Sequence, residues 1–352
     1  MKFSPEALAI STMPKTTVGH HIESNDQWHR LRAQDVTASV AGALLGVHRL
    51  SALGLYNLKK GFDVDDADTE VIEDSGDGWW STSHPPAARG HILEPLAMEE
   101  TRRRTGWSIS YPLGYYFRDP QRRIGATPDA FAIDPKRDGF GVIQFKTVSP
   151  DVFEKKWRDP NTRDVIPPDW VMVQAITEAK ITGASWACIV VVRLTHKLEF
   201  SGVTIPVHDD IWYRLCGEVE HFWRQFDADR PPDVDWVKDA DRVMRMFADA
   251  RGPQINLSGD NELAELLPEY TRLKAIEAAG NAAAKDRKII DAKIIFKMKD
   301  AESAIAPGGV TISAKTINRK GYSVDPSSYR QVRISGTVAS ATPPSSTVPE
   351  RF

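Results

Sequence analysis

The chain has 352 residues, with 45 Lys and Arg against 48 Asp and Glu, and a formal net charge of −3 at pH 7. This balance excludes a uniformly basic protein that coats nucleic acid, but it does not exclude a local basic cleft, because phosphate binding depends on where charge lies. Hydrophobic residues at 41% and charged residues at 26% are typical of a folded globular protein. The length predicts roughly two domains.

The cysteine count and the apolar runs of the sequence indicate the compartment of the protein and its relation to a membrane. The two cysteines, Cys188 and Cys216, are too few for a disulfide scaffold and fit a reducing environment. The N-terminal stretch lacks the continuous apolar segment of a secretory signal. The longest apolar run, Trp186 to Val192, is far short of the roughly 20 residues that span a bilayer. We therefore expect a soluble cytoplasmic protein without a membrane partner.

The first third of the chain contains two predicted helices around an acidic segment. Residues 26–46 indicate a helix, with Thr37 and Ser39 as candidate N-caps before an apolar run. Residues 62–78 contain eight acidic side chains and no basic one, which favours a solvated loop over a metal site. A second helix is predicted from Ala87 to Thr105, because apolar residues recur on one face.

The middle of the chain alternates between strand and helix patterns, which predicts an α/β fold with a central mixed sheet. Turn residues at 134–139 predict a hairpin between the second and third strands. The predicted strands and helices are, in order, strands Ser108–Phe117, Ile124–Ile133 and Gly141–Thr147, a helix over 168–182, a buried strand Trp186–Leu194 and an amphipathic helix over 209–228.

A change of composition near residue 249 predicts a domain boundary. We assign residues 1–248 to the first domain, 249–262 to a linker and 263–334 to a C-terminal unit. That unit is expected to contain a long helix over 261–299 followed by short strands at Gly309–Ser313 and Tyr329–Ile334. The Ser, Thr and Pro-rich tail over 335–352 is expected to be disordered.

Three polar residues in the predicted hairpin form the candidate site. Gln144 and Lys146 share one face of a strand because side chains alternate along it, and Ile143 and Phe145 share the other. The hairpin brings Asp129 beside this polar pair. An acid, an amide and a lysine inside a sheet are unfavourable unless something binds there, and Glu94 on the preceding helix is a fourth candidate.

This set of residues suits metal-assisted phosphodiester hydrolysis. Mg²⁺ prefers oxygen ligands, commonly one or two carboxylates with water and a substrate phosphate. A lysine beside them orients or deprotonates water and stabilises developing charge. Each residue alone is weak evidence, since Asp129 could be a turn acid and Gln144 and Lys146 surface residues of an edge strand. The order of a helical Glu, Pro-Asp, Gln-x-Lys and a Gln-bearing helix is more specific.

Over Trp28 to about Val192 the chain resembles the YqaJ-type phage exonucleases, the group of lambda exonuclease within the PD-(D/E)XK nuclease superfamily. The matching segments are Trp28–Arg32 with Thr37–Ser39, Arg89–Pro95 around Glu94, Thr127–Ala130 around Asp129, Ile143–Thr147 around Lys146, and the helix of Gln174 with Thr182–Ala184.

The resemblance implies a restriction-endonuclease-like core and a Mg²⁺-dependent exonuclease, with Mn²⁺ as a substitute, that digests linear double-stranded DNA from a 5′-phosphate end. It implies a metal held by Asp129, Gln144, Glu94 and the Phe145 carbonyl, with Lys146 acting on the water. By the same resemblance, the DNA contacts are Arg32 and Ser39 at the terminal phosphate, and Gln174 on the closing helix. It further implies a homo-oligomer, a single-strand annealing recombinase as partner, and a phage gene or bacterial host.

Gln144 departs from the family pattern, which usually has Glu at this position. Glutamine keeps an oxygen ligand but loses a negative charge, so attraction for a divalent cation is weaker. Four explanations stay open: a natural variant that works with Asp129 and the Phe145 carbonyl, replacement of the charge by Glu178, an engineered near-isosteric swap, or an inactive site.

Other interpretations of single residues and of the function also stay open. Arg32 could pair with Asp35 instead of a phosphate, and Gln174 could be an ordinary polar helix position. The basic residues of 155–158 could contact a duplex or only face solvent. The alternative functions are a nuclease fold that binds DNA ends or a partner without cutting, and a structure-specific endonuclease.

Overall fold

The computed structural model describes residues 4–62, 86–111, 114–195, 197–246, 261–298, 303–305 and 311–313. The chain divides into two units, Met1–Val243 and Met244–Phe352. The helices are α1 (Pro5–Thr12), α2 (Asn25–Ala33), α3 (Ala38–Ala41), α4 (Ala52–Lys60), α5 (Pro86–Thr105), α6 (Pro150–Lys156), α7 (Asp169–Thr182), α8 (Asp209–Asp227), α9 (Trp236–Met246) and α10 (Asn261–Met298).

The strands of the first unit are β1 (Val18–His21), β2 (Val36–Thr37), β3 (Ser108–Ser110), β4 (Tyr115–Asp119), β5 (Ile124–Ala126), β6 (Ala130–Ile133), β7 (Gly141–Val148), β8 (Trp186–Leu194) and β9 (Leu198–Ile205). In the second unit, β10 (Ser303–Ile305) and β11 (Thr311–Ser313) form an antiparallel pair. Within the described parts of the chain, no helix has the length and apolar character needed to cross a membrane.

A five-stranded mixed sheet in the order β3-β6-β7-β8-β9 forms the framework of the first unit. β7 and β8 are parallel, and the other neighbours are antiparallel. Parallel neighbours need a long crossover connection, and α6 and α7 supply it. The run Ile189–Val192 is buried, as expected for β-branched residues in a central strand.

A smaller sheet in the order β1-β4-β5-β2 lies in the same unit. β1 pairs antiparallel with β4, β4 antiparallel with β5, and β2 parallel with β5. Val36 and Ile124 are fully buried here and are joined in register across the β2–β5 pair. This sheet therefore shares in the main hydrophobic core.

The five-stranded sheet is covered on both faces. On one face α7 packs with buried Val171, Ala175 and Ile176. On the other face Ile143 and Phe145 of β7 pack in a second cluster with Ala97 of α5. The predicted α/β class, a mixed sheet flanked by helices, is confirmed.

α7 is the element that positions most of the site, and both of its ends follow from the sequence. Pro168 occupies the N-cap position, where its missing N–H costs nothing. Gly183 ends the helix with φ 80°, a left-handed conformation that favours glycine. The predicted helix over 168–182 is confirmed. The helix and strand predictions over 87–105, 141–147, 186–194 and 209–228 are also confirmed.

Two predicted strands are each two strands in the structure. Ser108–Phe117 separates into β3 and β4, which belong to different sheets. Ile124–Ile133 separates into β5 and β6, because Pro128 between them has no N–H to continue a ladder. Strands β1 and β9 were not predicted. β9 has a half-exposed, mixed pattern rather than clean alternation.

The predicted capping of residues 26–46 is confirmed for Thr37 and wrong for Ser39. The helix begins at Asn25 with Ser24 as its cap and ends at Ala33, and β2 separates it from α3. Ser39 lies inside α3 and is not an N-cap. Thr37 occupies the N-cap position of α3 but makes no side-chain capping bond.

Several C-terminal and loop predictions fall on undescribed residues. The acidic side chains of 62–78, strand Tyr329–Ile334 and tail 335–352 lie outside the described residues. So does the linker over 249–262, apart from its last two residues, which begin α10. The domain bounds stay predictions.

Candidate active site

Asp129 lies in the Thr127-Pro128-Asp129 segment that joins β5 to β6. Its Oδ2 accepts hydrogen bonds from the Phe145 backbone N–H, at 2.7 Å, and from the Gln144 Nε2. The hairpin register, in which Ala130 faces Ile143, brings this loop against the polar face of β7. The predicted proximity of Asp129 to Gln144 is confirmed.

Gln144 is buried and uses both ends of its amide. Its Nε2 donates to Asp129 Oδ2 and, at 3.3 Å, to the Phe145 carbonyl oxygen. Its Oε1 accepts from Gln174 Nε2 at 2.7 Å. The carboxylate of Asp129 and the carbonyl of Phe145 therefore converge on a single donor nitrogen. The Phe145 ring lies in the apolar cluster on the opposite face, so only its backbone belongs to the site.

Gln174 joins β7 to α7. Its Nε2 donates both to Gln144 Oε1 and to Glu178 Oε1, the latter at 2.9 Å, and its Oε1 accepts from Lys146 Nζ at 3.0 Å. Glu178 lies one turn further along the helix, the spacing at which side chains meet. Gln174 thus connects Gln144, Lys146 and Glu178, and its role in DNA binding stays a prediction.

Lys146 is half-buried at the end of this network. Its Nζ bonds to Gln174 and lies 5.2 Å from the centre of the Trp170 ring, within cation–π range. Gln144 and Lys146 reach the same helix from the same face of β7, as the alternation along the strand predicts.

Glu178 is a buried acid in this cluster. Burial raises its pKa well above the usual value, and the negative charge of Asp129 raises it further. Both effects favour the protonated form of this side chain. The idea that Glu178 replaces the charge missing at Gln144 is not supported by this environment.

Glu94 approaches the site from α5, which packs against β7. The charge of Glu94 affects the pKa of Tyr111, which lies directly after β3. Burial raises the pKa of Tyr111, and the charges of Glu94 and Asp129 raise it further. Both carboxylates are therefore near enough for their charges to act on this tyrosine. Sequence analysis missed Tyr111, and its position directly after a strand that leads to the site was the available signal.

The oxygen atoms of this cluster fit a hard cation. Asp129 Oδ2 and the Phe145 carbonyl oxygen already converge on a point that holds a donor with partial positive charge. Two buried oxygens nearby, the Tyr111 hydroxyl and Glu178 Oε2, have no hydrogen-bond partner among the described residues, as expected where water or an ion contributes. Within the described ranges no three His, Cys, Asp or Glu side chains group as metal ligands. A cation here would therefore rely on carbonyl, amide, water or substrate oxygens as well.

The two predicted phosphate-binding residues lie on other elements, α2 and α3. The Arg32 guanidinium lies 4.1 Å from the Trp28 ring centre. Ser39 Oγ bonds to Thr37 Oγ1 at 3.1 Å, and its helix packs against α7. Their contacts in the structure are thus with residues outside the Asp129 network, and phosphate binding stays a prediction.

Asp35, the alternative partner of Arg32, belongs to a separate buried cluster. Its carboxylate accepts from Arg118 at 2.7 Å and from the Tyr116 hydroxyl at 3.0 Å. Burial raises the pKa of Asp35, while Arg118 and Tyr116 oppose that shift. Arg118 therefore supplies the charge that neutralises Asp35.

The basic residues after β7 are partly engaged with acids. Arg158 pairs with Glu154 at 2.8 Å and lies 5.2 Å from the Phe153 ring centre. Lys155 and Lys156 end α6 and are exposed. Of this group, the two lysines remain candidates for a DNA contact.

A mixed sheet flanked by helices, with an acid before the hairpin and Gln-x-Lys on the next strand, is the arrangement that the resemblance to the PD-(D/E)XK fold predicts. Residues 27–185 match the family model of the YqaJ-like viral recombinase domain. This stretch of the chain is similar to that family, as the resemblance predicts.

The chain is also similar to solved structures of one enzyme. An alkaline exonuclease (LHK-Exo) from Laribacter hongkongensis has 17% sequence identity and a TM-score of 0.41, over 62% of this chain and 99% of that one. LHK-Exo in complex with dAMP has 18% identity and a TM-score of 0.40, with the same coverage. No curated protein matches the chain.

Proposed function

We propose that this chain is a Mg²⁺-dependent exonuclease that digests linear double-stranded DNA in phage-type homologous recombination. The observation that carries the proposal is the connected network of Asp129, Gln144, Gln174 and Lys146, in which two oxygens converge on one point. Digestion from a 5′-phosphorylated end, in the 5′ to 3′ direction, is part of the proposal and rests on the resemblance to the family.

Asp129, the Phe145 carbonyl and Gln144 Oε1 would hold the cation, with Glu94 near the same place. When bound, Mg²⁺, or Mn²⁺ in its place, polarises the phosphoryl oxygen and acidifies a water. Gln144 can contribute its oxygen only if its amide turns, because its nitrogen faces Asp129 in the structure.

Lys146 is placed to act on the attacking water or on developing phosphate charge. The bond from its Nζ to Gln174 and its position near the Trp170 ring limit the directions that its ammonium can take. A positioned cation beside the reacting phosphate stabilises charge that develops in the transition state. Lys146 can also act as a general acid or base by exchanging a proton with water at its Nζ.

Arg32 and Ser39 are proposed to hold the terminal phosphate, with Gln174 lining the DNA side of the site. Without the eight acids of 62–78 the remaining chain has 45 basic against 40 acidic residues, a net of +5. That balance suits a DNA-binding cleft. We further propose that the chain acts as a homo-oligomer, beside a single-strand annealing recombinase, in the cytoplasm of a phage-infected bacterium.

The test is digestion of 5′-phosphorylated linear duplex with Mg²⁺ and with Mn²⁺. We expect wild-type protein to digest the DNA, and D129A and K146A each to lose most activity. K136A is the matched control, since Lys136 is an exposed lysine of the β6–β7 turn and should leave digestion unchanged. A wild-type chain that leaves linear duplex intact over a wide range of both cations would refute the proposal.

The end and the direction of digestion need their own substrates. Duplexes with a 5′-hydroxyl end should be digested more slowly, and R32A should remove that preference if Arg32 holds the phosphate. Covalently closed circular DNA should stay intact. Cutting of circles would support a structure-specific endonuclease instead.

A second candidate function, an end-binding protein that does not cut, is favoured by one observation. The Gln144 NH₂ group lies where a cation would be held. If wild-type protein binds linear duplex ends without digesting them and Q144E digests them, the missing charge is the cause. If neither digests, the fold serves binding alone.

A further inference from the structure

The two buried glutamines give the site a fixed direction of hydrogen bonding. Gln144 directs its nitrogen at Asp129 and the Phe145 carbonyl, and its oxygen at the nitrogen of Gln174. Gln174 then directs its oxygen at Lys146 Nζ. Each amide has donors at one end and an acceptor at the other, so the orientation of one amide determines that of its neighbour.

A cation between Asp129 and the Phe145 carbonyl is incompatible with this direction. It would need the point that the Gln144 nitrogen now takes, and a donor and a cation repel each other there. Gln144 would have to turn and present Oε1, which brings its NH₂ against the NH₂ of Gln174. Two buried donors that face each other are unfavourable. Gln174 must then turn as well, and its oxygen leaves Lys146.

We propose that Gln144 and Gln174 are coupled positioning residues that transmit cation binding to Lys146, an inference that rests on the proposed metal dependence. With no cation, Gln174 Oε1 holds the Lys146 ammonium. With a cation bound, both amides turn together and Lys146 is released from Gln174 toward the reacting phosphodiester. The site thus frees its lysine only when the cation is present.

Glu178 allows both orientations of Gln174. In the structure its Oε1 accepts from the Gln174 nitrogen. When protonated, a carboxyl group has one O–H donor as well as acceptor oxygens, so Glu178 in that form can donate to the Gln174 oxygen after the turn. Its Oε2, which has no partner among the described residues, leaves a proton position free for this exchange. The buried Glu178 carboxyl would thus bond to Gln174 before and after the turn.

The experiment measures how readily the Lys146 amine reacts with a labelling reagent, with and without the cation. The full chain is labelled with an amine-reactive reagent in EDTA or in Mg²⁺, and each lysine is quantified by mass spectrometry. A thermal melt under the same conditions registers binding of Mg²⁺. We expect a higher Tm and a several-fold rise in Lys146 labelling with Mg²⁺. Lys180, which pairs with Asp209, is the internal control and should not change.

Two variants separate the relay from direct repulsion of Lys146 by the cation. In Q144E the side chain has oxygens at both ends, so Gln174 keeps donating to it and keeps holding Lys146. Q144E should show a larger Tm rise with Mg²⁺, yet no rise in Lys146 labelling. In Q174M no amide holds the lysine, and Lys146 labelling should be high in EDTA and insensitive to Mg²⁺.

Three results would overturn the relay. The first is a Tm that rises with Mg²⁺ while Lys146 labelling stays constant in wild-type protein. The second is a Q144E labelling response equal to that of wild type, which would assign the effect to repulsion. The third is a Tm that responds to neither Mg²⁺ nor Mn²⁺.

Failure of the proposed function gives a different pattern. Intact DNA together with the expected labelling pattern refutes the exonuclease and leaves the relay standing. Digested DNA with constant labelling refutes only the relay.

Discussion

Two buried polar clusters in the first unit are built on different principles. In the first, Asp35 meets the Arg118 guanidinium and the Tyr116 hydroxyl, so a positive charge compensates the negative one. In the second, Asp129 is bonded by a backbone N–H and an amide, and burial raises the pKa of Glu178. In the first cluster the opposite charges of Arg118 and Asp35 offset each other, although Arg118 Nε has no hydrogen-bond partner among the described residues. The second consists mostly of groups that can change direction or accept a charged ligand, which is the property a site needs.

The largest expected effect on stability comes from R118M. It leaves the Asp35 carboxylate buried without its cation, and such a loss costs about 3–5 kcal/mol of unfolding free energy. Urea denaturation followed by circular dichroism gives the value. R163M is the matched control, because Arg163 is more than half exposed in its pair with Glu154, and should change stability by less than about 1 kcal/mol. Equal effects of the two variants would remove the distinction between the clusters.

A smaller loss is expected from G125A, which tests the packing of the same cluster. A Cβ at buried Gly125 would collide with the Tyr116 hydroxyl that bonds Asp35. Overpacking of this kind costs roughly 1–3 kcal/mol. G217A is the control, since a Cβ there on α8 meets nothing within 4 Å, and it should stabilise the chain by up to about 1 kcal/mol. No loss in G125A would mean that Tyr116 is free to move.

The raised pKa of Glu178 predicts that stability depends on pH. Because its pKa is raised in the folded state, the folded chain holds a proton that the unfolded chain releases. Wild-type stability should therefore fall relative to E178Q as pH rises above the usual carboxyl pKa of 4.5. The slope should reach at most about 1.4 kcal/mol per pH unit.

Urea denaturation of both proteins from pH 5 to pH 8 measures this difference. E220Q changes an exposed position of α8, and its unfolding free energy should change with pH in the same way as that of wild type. An E178Q curve that is also parallel to wild type would show that Glu178 is ionised in the folded chain.

The smallest stability effect is expected at Lys146, where the functional effect is large. K146A removes a half-buried ammonium that bonds to a neutral amide, so unfolding free energy should change by less than about 1 kcal/mol. Digestion of linear duplex should fall by roughly 100-fold or more. A loss of several kcal/mol would instead make Lys146 part of the structural framework.

Much of the site could be predicted from local sequence. Alternation along Gly141–Val148 was enough to place Gln144 and Lys146 on one face, and the turn residues at 134–139 were enough to predict the hairpin that brings Asp129 there. The breaks inside the predicted strands were missed, although Pro128 signals one of them. The capping role given to Ser39 was wrong because the same polar-then-apolar pattern fits both a helix cap and a short strand before a short helix.

By itself the sequence determined the elements and the faces of the central strands, because periodicity and turn chemistry are local properties of the chain. Only the tertiary structure decided which way the Gln144 and Gln174 amides point, that burial raises the pKa of Glu178, and that Arg118 bonds to Asp35. Those properties depend on burial and on partners 30 to 83 residues away along the chain. The electric field and the donor geometry at a buried atom exist only after those partners have packed together.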